Sequence, residues 1–270
     1  MFKYYYREMH MAYKEISYAT GIEPIEIAQQ IIEASKQHYL MHVRNVPFEG
    51  EELHTFYDEV TSHVGECLEI GETAGSVSVG ERWTYVCYDP TIENAYRSTA
   101  NAQPLHTDGS YQIESPDATC MYCISNSSQG GETVFITGEK LIDALKIDEP
   151  ELLHQLRTTP VCFSRTFVNG ENEKTKNIIE QDADGKITLT WNYYRVDPAS
   201  SADVKQMCEA FHHYLQTHIM GSDKMQALHL KPGEAVLWLD EKLLHGRNSF
   251  VAHQFGDRNL AKTCLKIKRS

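Results

Sequence analysis

LKPGEAVLWLDEKLLHGRNSF, residues 230–250, gives the clearest indication of how this chain folds. A Pro-Gly turn leads into AVLWL, an apolar run with the length of a buried β-strand. The run stops just before His245, and Gly246 and Arg247 follow. A histidine at the exit of a buried strand can point back toward the mouth of a barrel. The stretch therefore predicts a buried β-strand with a candidate functional histidine, His245, at its end.

Short β-like runs also dominate the rest of the chain from Thr119 onward. They are CMYCIS, TVFIT, VCFSRTFV, KITLTWNYYRV, EAVLWL and NLAKTCLKI. Helices come first along the chain, and many short strands with a helical insert follow. This order predicts a mainly β fold, a barrel or sandwich flanked by helices.

The helical flank is predicted at about 1–65. Apolar residues at three- and four-residue spacing after an early proline predict an amphipathic helix over 23–38. A strand at 39–46, a second helix at about 51–63 and a strand around 83–88 should follow. The N-terminal part of the chain therefore supplies helices that can cover a sheet.

Two further helical segments interrupt the strands. One lies at about 139–157 and consists of two short helices joined near 148–150, and the other lies at about 202–220 with an apolar stripe. The polar segment 169–185 ends in a turn signal and predicts a surface excursion. With no internal repeat and no long linker, we expect a single domain over 1–270.

Charge and hydropathy exclude several classes of partner. The chain has 25 Lys+Arg against 38 Asp+Glu and a net charge of -13, so a broad cationic surface for nucleic acid is not expected. No apolar run reaches the roughly 18 residues of a membrane span, and charges stand where a signal peptide needs its apolar core. We expect a soluble, cytoplasmic protein that acts on a small molecule.

Seven cysteines, an odd number spread along the chain, predict free thiols in a reducing compartment. Cys120 and Cys123 form a CxxC, but residues three apart on a strand face opposite sides. We expect this pair to be small buried side chains and not metal ligands.

A candidate metal site begins in AQPLHTDGSYQ, residues 102–112. In an extended segment the side chains of His106 and Asp108 point to one face. This spacing alone is close to what chance supplies in a chain with 13 histidines. His245 adds a second nitrogen donor. Two histidines and one carboxylate on one face leave about three octahedral positions open, as in non-haem Fe(II) oxygenases.

Four motifs in order resemble the taurine dioxygenase and clavaminate synthase-like group of 2-oxoglutarate-dependent oxygenases. They are HTD at 106–108, GGET at 130–133, HGR at 245–247 and an arginine 13 residues after the last histidine. The resemblance implies a double-stranded β-helix, the jelly-roll or cupin-like barrel. It also implies Fe(II) held by His106, Asp108 and His245, with 2-oxoglutarate and O₂ as cosubstrates. Arg258 and the Thr133 hydroxyl would bind the distal carboxylate of 2-oxoglutarate, which a guanidinium fork fits bidentately.

The chain departs from this family at two places. Asp240-Glu241 stands where many members have Asp-Asn, so the turn before His245 can differ. Lys262 lies four residues after Arg258, on the same strand face, where taurine dioxygenase has an arginine that contacts the anionic group of its substrate. Asp108 occupies the position that related halogenases give to a small residue, so halogenation is disfavoured.

The expected reaction is oxidation of a C–H bond in a small polar, anionic or amino-acid-like metabolite, with release of succinate and CO₂. Hydroxylation is favoured over desaturation or cyclisation. Two alternatives stay open, a non-redox enzyme with Zn²⁺ or Ni²⁺ on the same barrel and a catalytically silent binding or sensing module. Five residues on predicted strands or near the metal-bearing turn are candidate substrate contacts: Arg82, Tyr85, Tyr111, Arg195 and Lys262.

Overall fold

The computed structural model of the chain describes residues 13–68, 82–93, 95–167, 170–182 and 185–268. The strands are β1 (Tyr13–Ser17), β2 (Leu40–Arg44), β3 (Gly65–Leu68), β4 (Thr84–Cys87), β5 (Gln103–His106), β6 (Ala118–Ser125), β7 (Thr133–Thr137), β8 (Val161–Phe167), β9 (Gly170–Lys176), β10 (Ile179–Gln181), β11 (Ile187–Leu189), β12 (Gln226–Leu228), β13 (Ala235–Leu239), β14 (Leu243–Arg247) and β15 (Asn259–Ile267). The helices are α1 (Pro24–Ser35), α2 (Gly50–Val64), α3 (Gly138–Asp148), α4 (Pro150–Thr158) and α5 (Ala202–Tyr214).

Two sheets form the central framework. The larger has the order β1-β2-β13-β6-β15-β3, with β4 also paired to β15. The smaller has the order β12-β7-β14-β5. Along the chain from β5, the strands of these sheets alternate between them, except that β7 and β12 both lie in the smaller sheet. This winding is a double-stranded β-helix, which confirms the predicted jelly roll.

The two sheets pack face to face through an apolar layer. Met121, Val236 and Leu260 of the larger sheet are buried there against Phe135 of the smaller sheet. The Phe135 ring lies 5.5 Å from that of Trp238 in an edge-on contact. Alternation along each strand puts one set of side chains in this layer and the other set on the outer faces.

Helices α1 and α2 cover the outer face of the larger sheet. Ile31 and Tyr57 pack there with Tyr122 of β6, and the two tyrosine rings stack with centroids 5.0 Å apart. Cys120 lies in this layer, whereas Cys123 lies between the sheets. The two cysteines therefore face opposite sides of β6, as predicted, and all seven cysteines are free thiols.

Helices α3, α4 and α5 cover the outer face of the smaller sheet. Leu145 of α3 and Phe211 of α5 pack in one buried cluster with Leu244 of β14. The predicted break near 148–150 is confirmed, because α3 ends at Asp148 and α4 begins at Pro150. The helix predicted to 220 continues beyond α5 as a π-helical turn, Leu215–Ile219. No described helix is long and apolar enough to cross a membrane.

The prediction of a surface excursion over 169–185 is wrong at Ile178 and Ile179, which are fully buried in the cluster beneath α3 to α5. The other side chains described in this segment, which contains β9 and β10, are half-buried or exposed. This apolar pair anchors the otherwise polar segment. Residues 169, 183 and 184 lie outside the described part, as do the first 12 residues of the predicted helical flank. The single domain predicted over 1–270 stays a prediction.

The strand predicted from KITLTWNYYRV is also shorter than expected. Only β11 is strand, and a 3₁₀ turn follows at Tyr193–Arg195. The backbone carbonyl of Trp191 accepts from the Thr107 N–H at 2.7 Å instead of continuing a strand ladder. The fully buried Trp191 thereby ties this segment to the turn that carries the candidate metal ligands.

Replacing Phe135 with alanine should destabilise the protein by about 3–5 kcal/mol, because it empties a fully buried ring position between the sheets. Urea unfolding followed by circular dichroism measures this effect. The control is Ile147→Ala, at a side chain that is 82% exposed, which should change stability by less than about 0.5 kcal/mol. Equal effects of the two substitutions would contradict the packing described here.

Candidate active site

Two histidines meet where β5 pairs with β14. His106 ends β5 and is the antiparallel partner of His245, with ring centroids 4.2 Å apart. Asp108 lies in the turn after β5, with Oδ1 3.9 Å from His106 Nε2 and Oδ2 3.7 Å from His245 Nε2. The structure therefore brings the three predicted metal ligands together, with one donor atom of each within 4.8 Å of the others.

Neighbouring groups orient both imidazole rings. His106 Nδ1 donates to the carbonyl oxygen of Pro104 at 2.9 Å, which leaves Nε2 with its lone pair. The His245 ring packs on Trp238 at 4.7 Å between centroids. Burial lowers the pKa of both histidines, and the neighbouring His106 lowers that of His245 further. Both rings are neutral near pH 7, the form in which imidazole binds a metal.

The Asp108 carboxylate is held by two donors. Thr119 Oγ1 donates to Oδ2 at 3.1 Å, and Lys262 Nζ donates to Oδ1 at 2.6 Å. Burial by itself raises the pKa of Asp108, but the charge of Lys262, joined at low pH by the protonated forms of the two histidines, outweighs burial and holds the pKa well below its usual range. The carboxylate is therefore ionised and gives the cluster one anionic oxygen donor.

Asp240 supports the cluster from behind, a role that the sequence did not reveal. Its fully buried Oδ1 accepts from the Asp108 backbone N–H at 3.1 Å and from Trp238 Nε1 at 3.3 Å. Oδ1 also lies 3.8 Å from His245 Nδ1. Burial, followed by the nearby charge of Asp108, raises the pKa of Asp240 well above its usual value. The sequence singled out Asp240 only as the first residue of the Asp240-Glu241 pair, in which Glu241 departs from the family pattern.

The donor set fits a divalent metal ion. Two neutral nitrogens and one carboxylate oxygen surround a common point inside the protein. Such a set suits Fe(II) and leaves coordination positions open for other ligands. The same donors also suit Zn²⁺, so the choice of metal depends on what else lines the site.

Arg258 is a buried cation that opens onto the same site. Its side chain is 2% exposed, Nη2 donates to the Gly131 carbonyl oxygen at 3.2 Å, and Nε has no hydrogen-bond partner among the described residues. Burial, followed by the charge of Arg247, lowers its pKa to about 9. Thr133, the other predicted 2-oxoglutarate contact, is buried at the start of β7. An anionic ligand would offset the desolvation of this buried guanidinium and pair with its Nε–H.

One cavity of about 560 Å³ joins the metal cluster to Arg258. Its size is within the usual range for a small-molecule site. It is lined by eight of the ten site residues predicted from the sequence: His106, Asp108, Tyr111, Thr133, Arg195, His245, Arg258 and Lys262.

The structure does not bring Arg82 and Tyr85 to this cavity. Arg82 Nη2 donates to Thr61 Oγ1 at 2.8 Å, and its Nε lies 3.1 Å from a carboxylate oxygen of Asp58, so the side chain is engaged by α2. Tyr85 is 48% exposed, and its strand partner Ala261 packs in the layer beneath α1 and α2. Alternation along β4 turns Tyr85 away from the cavity, which Thr84 and Val86 line instead.

Three cavity arginines were not predicted as site residues. Arg97 and Arg165 lie on segments with no motif, and nothing in the sequence marks them. Arg247 belongs to the HGR motif, and its Nη2 donates to three backbone carbonyls between positions 96 and 101. Its Nε and Nη1 have no hydrogen-bond partner in the described part of the chain.

Comparison with known proteins places these observations in a family. A family model described as "Taurine catabolism dioxygenase TauD, TfdA family" matches residues 11–264. Uridine-5'-phosphate dioxygenase of a Streptomyces species is 24% identical over 211 residues, or 72% of this chain and 77% of that protein. Gamma-butyrobetaine dioxygenase of Homo sapiens is 23% identical over 198 residues, or 70% of this chain and 50% of that protein. The chain thus spans about half the length of the human relative.

Solved structures share the fold. PvcB from Pseudomonas aeruginosa superposes with a TM-score of 0.63 at 18% sequence identity, covering 94% of this chain and 85% of that one. Another structure of PvcB describes it as an Fe, alpha-ketoglutarate dependent oxygenase from an isonitrile synthetic pathway. At this level of identity the likeness establishes the architecture.

Asp240→Ala should weaken binding of Mn(II), used as a redox-stable probe, by about 10- to 100-fold, because the Asp108 turn loses the acceptor that positions it. Electron paramagnetic resonance titration measures the affinity. Asp240→Asn keeps an acceptor oxygen at the same place and should bind Mn(II) within about threefold of the parent protein. Unchanged affinity in the alanine variant would show that Asp240 does not position the cluster.

Proposed function

Because the chain belongs to the taurine catabolism dioxygenase TauD, TfdA family, we propose that His106, Asp108 and His245 hold its Fe(II). The protein is a non-haem dioxygenase that depends on Fe(II) and 2-oxoglutarate. Arg258 and Thr133 bind the distal carboxylate of 2-oxoglutarate in this proposal. The buried guanidinium of Arg258, opening onto the same cavity as the metal cluster, is the observation that carries it.

The chain's own groups prepare the site for the cosubstrates. Bound together, iron, 2-oxoglutarate and O₂ supply the oxidation of a substrate C–H bond, with release of succinate and CO₂. The neutral histidines and the ionised Asp108 provide three ligands, and Asp240 keeps Asp108 in place. Trp238 and Met121 line the cavity, and such apolar walls exclude water from the reacting groups.

Arg258 gives the site its preference for a 2-oxo acid with a second carboxylate. A guanidinium forms two parallel hydrogen bonds to a carboxylate, and the Thr133 hydroxyl adds a third donor. A hydrolase or isomerase that used Zn²⁺ would have no need of these two carboxylate-binding side chains. Arg258 and Thr133 also favour an oxygenase over a silent sensing module, because the ligand of such a module need not be a dicarboxylate.

The reaction is proposed to be hydroxylation of a small anionic metabolite. Asp108 fills the position that a halide would need, so halogenation is disfavoured. Tyr111, Arg195 and Lys262 line the cavity and are the proposed substrate contacts. The names of the relatives, which include dioxygenases of uridine-5'-phosphate and gamma-butyrobetaine, support a substrate of metabolite size. The free cysteines suit a cytoplasmic location, where thiols stay reduced.

The Fe(II) protein should develop a weak visible metal-to-ligand charge-transfer band when 2-oxoglutarate is added without O₂. Arg258→Gln should require at least about thirtyfold more 2-oxoglutarate to reach the same absorbance, because removing a charged partner in a buried site costs about 2 kcal/mol or more. The titration is followed by absorbance in an anaerobic cuvette.

Two variants serve as controls for this titration. Arg157→Gln removes an exposed arginine from the last turn of α4 and should leave the titration unchanged. His106→Ala should show no band at any concentration of 2-oxoglutarate. If the parent protein gave no band with its iron fully loaded, the proposed function would be refuted, and an unchanged Arg258→Gln titration would refute the assignment of Arg258.

A further inference from the structure

Two tyrosines stand at the entrance of the active-site cavity. Tyr96 is 36% exposed and Tyr194 is 53% exposed, whereas every other described residue that lines the cavity is buried or half-buried. A side chain that lines a cavity and also faces solvent lies where the cavity opens. Tyr96 and Tyr194 therefore mark the mouth of this cavity within the described part of the chain.

The two side chains meet across this mouth. The hydroxyl oxygens of Tyr96 and Tyr194 lie 2.8 Å apart, and the ring centroids lie 5.6 Å apart. The residues are 98 positions apart in the chain, so the contact joins two separate turns and not two parts of one loop. The hydrogen bond is exposed to water, which can replace either partner, and it therefore breaks easily.

The backbone on each side of the mouth is anchored. The carbonyl oxygen of Tyr96 accepts from Nη2 of the buried Arg247 at 2.9 Å. On the other side, the ring of Tyr193 stacks on that of His212 in α5, with centroids 4.1 Å apart and planes 12° apart. The turns are thus held in place, and rotation of the two exposed tyrosine side chains is enough to open the mouth. Such rotations are among the fastest motions in proteins.

The ligand-binding groups lie behind the tyrosine pair. The three candidate metal ligands and Arg258 line the same cavity and are at most 9% exposed. A ligand that reaches them from solvent has to enter a cavity whose exposed lining, among the described residues, consists of Tyr96 and Tyr194. The tyrosine pair is therefore positioned to control access.

We propose that Tyr96 and Tyr194 form a gate through which 2-oxoglutarate and the substrate pass, and that the hydrogen bond between their hydroxyls closes it. The closed gate separates the reacting groups from bulk water. Because the same bond closes the empty and the occupied cavity, it slows entry and exit by the same factor and leaves the affinity unchanged. This inference rests on the proposed function, since it takes 2-oxoglutarate as the ligand that passes the gate.

Stopped-flow absorbance tests the gate with 2-oxoglutarate as the probe. The Fe(II) protein is mixed with 2-oxoglutarate without O₂, and the growth of the charge-transfer band is recorded. The slope and the intercept of the observed rate against 2-oxoglutarate concentration give the rate constants of entry and exit. Tyr96→Phe and Tyr194→Phe should each raise both constants by about two- to tenfold, the factor that one neutral hydrogen bond contributes. The half-saturating concentration should stay within about twofold of that of the parent protein.

Two further variants separate a gate from a general loosening of the structure. The double variant Tyr96→Phe/Tyr194→Phe should be no faster than either single variant, because each single substitution already breaks the same hydrogen bond. Tyr85→Phe removes the hydroxyl of a tyrosine that is 48% exposed and faces away from the cavity, and it should leave both rate constants unchanged.

Three results would overturn the inference. Unchanged entry and exit rates in both single variants, in a protein that gives the band, refute the gate and leave the proposed function standing. A weaker affinity with an unchanged entry rate would show that the tyrosines contact the bound ligand instead of closing the mouth. A parent protein that gives no band with its iron fully loaded refutes the proposed function, and the gate for 2-oxoglutarate with it.

Discussion

The close approach of β5 to β14 is the constraint on which the site depends. A Cβ atom at position 246 would lie 2.7 Å from the carbonyl oxygen of Gln103, so glycine is required between His245 and Arg247. Without a side chain there, the two strands pair and His106 stands opposite His245. Backbone packing thus explains the glycine of the HGR motif. The close strand pairing that this glycine permits places the ring centroids of His106 and His245 4.2 Å apart.

Buried charge is arranged around this strand pair in two opposite ways. Asp108 is surrounded by donors, among them Thr119 and Lys262, and is stable as an anion before any metal arrives. Arg258 is surrounded by a carbonyl and the face of Phe250, whose ring centre is 5.4 Å from the guanidinium carbon. The first group is satisfied by the protein and is suited to hold a metal. Within the described part of the chain, Arg258 Nε has no hydrogen-bond partner, so its charge is available to an anionic ligand.

Sequence patterns predicted the parts of the site that are fixed by local geometry. The two-residue spacing of His106 and Asp108 predicted that their side chains lie together, although Asp108 is in the turn after β5 and not in extended chain. The apolar run predicted β13, but the prediction that His245 stands at the exit of that run is wrong, because His245 lies within the next strand, β14. Strand alternation could have excluded Tyr85, since Lys262 faces the cavity and its partner on β4 is Thr84. Tyr85, the next residue along β4, pairs with Ala261 and faces the other side of the sheet.

Other parts could not be predicted because they depend on tertiary contacts. Arg97 enters the cavity through a turn that a tyrosine pair joins to the distant turn of Arg195. Asp240 follows an ordinary apolar strand, and only its complete burial beneath the Asp108 turn distinguishes it. The sequence does not indicate the burial of Ile178 and Ile179, because two adjacent apolar residues in a polar segment show no helical or strand periodicity. Packing against α3 to α5 determines their burial.

A crystal structure of the protein grown without O₂, with Mn(II) in place of Fe(II) and with 2-oxoglutarate, tests the central claim most directly. The account predicts the metal bound by His106 Nε2, His245 Nε2 and an Asp108 carboxylate oxygen, with the distal carboxylate of 2-oxoglutarate on Arg258 and the Thr133 hydroxyl. A metal bound elsewhere, or 2-oxoglutarate absent from Arg258 while the metal site is filled, would contradict it.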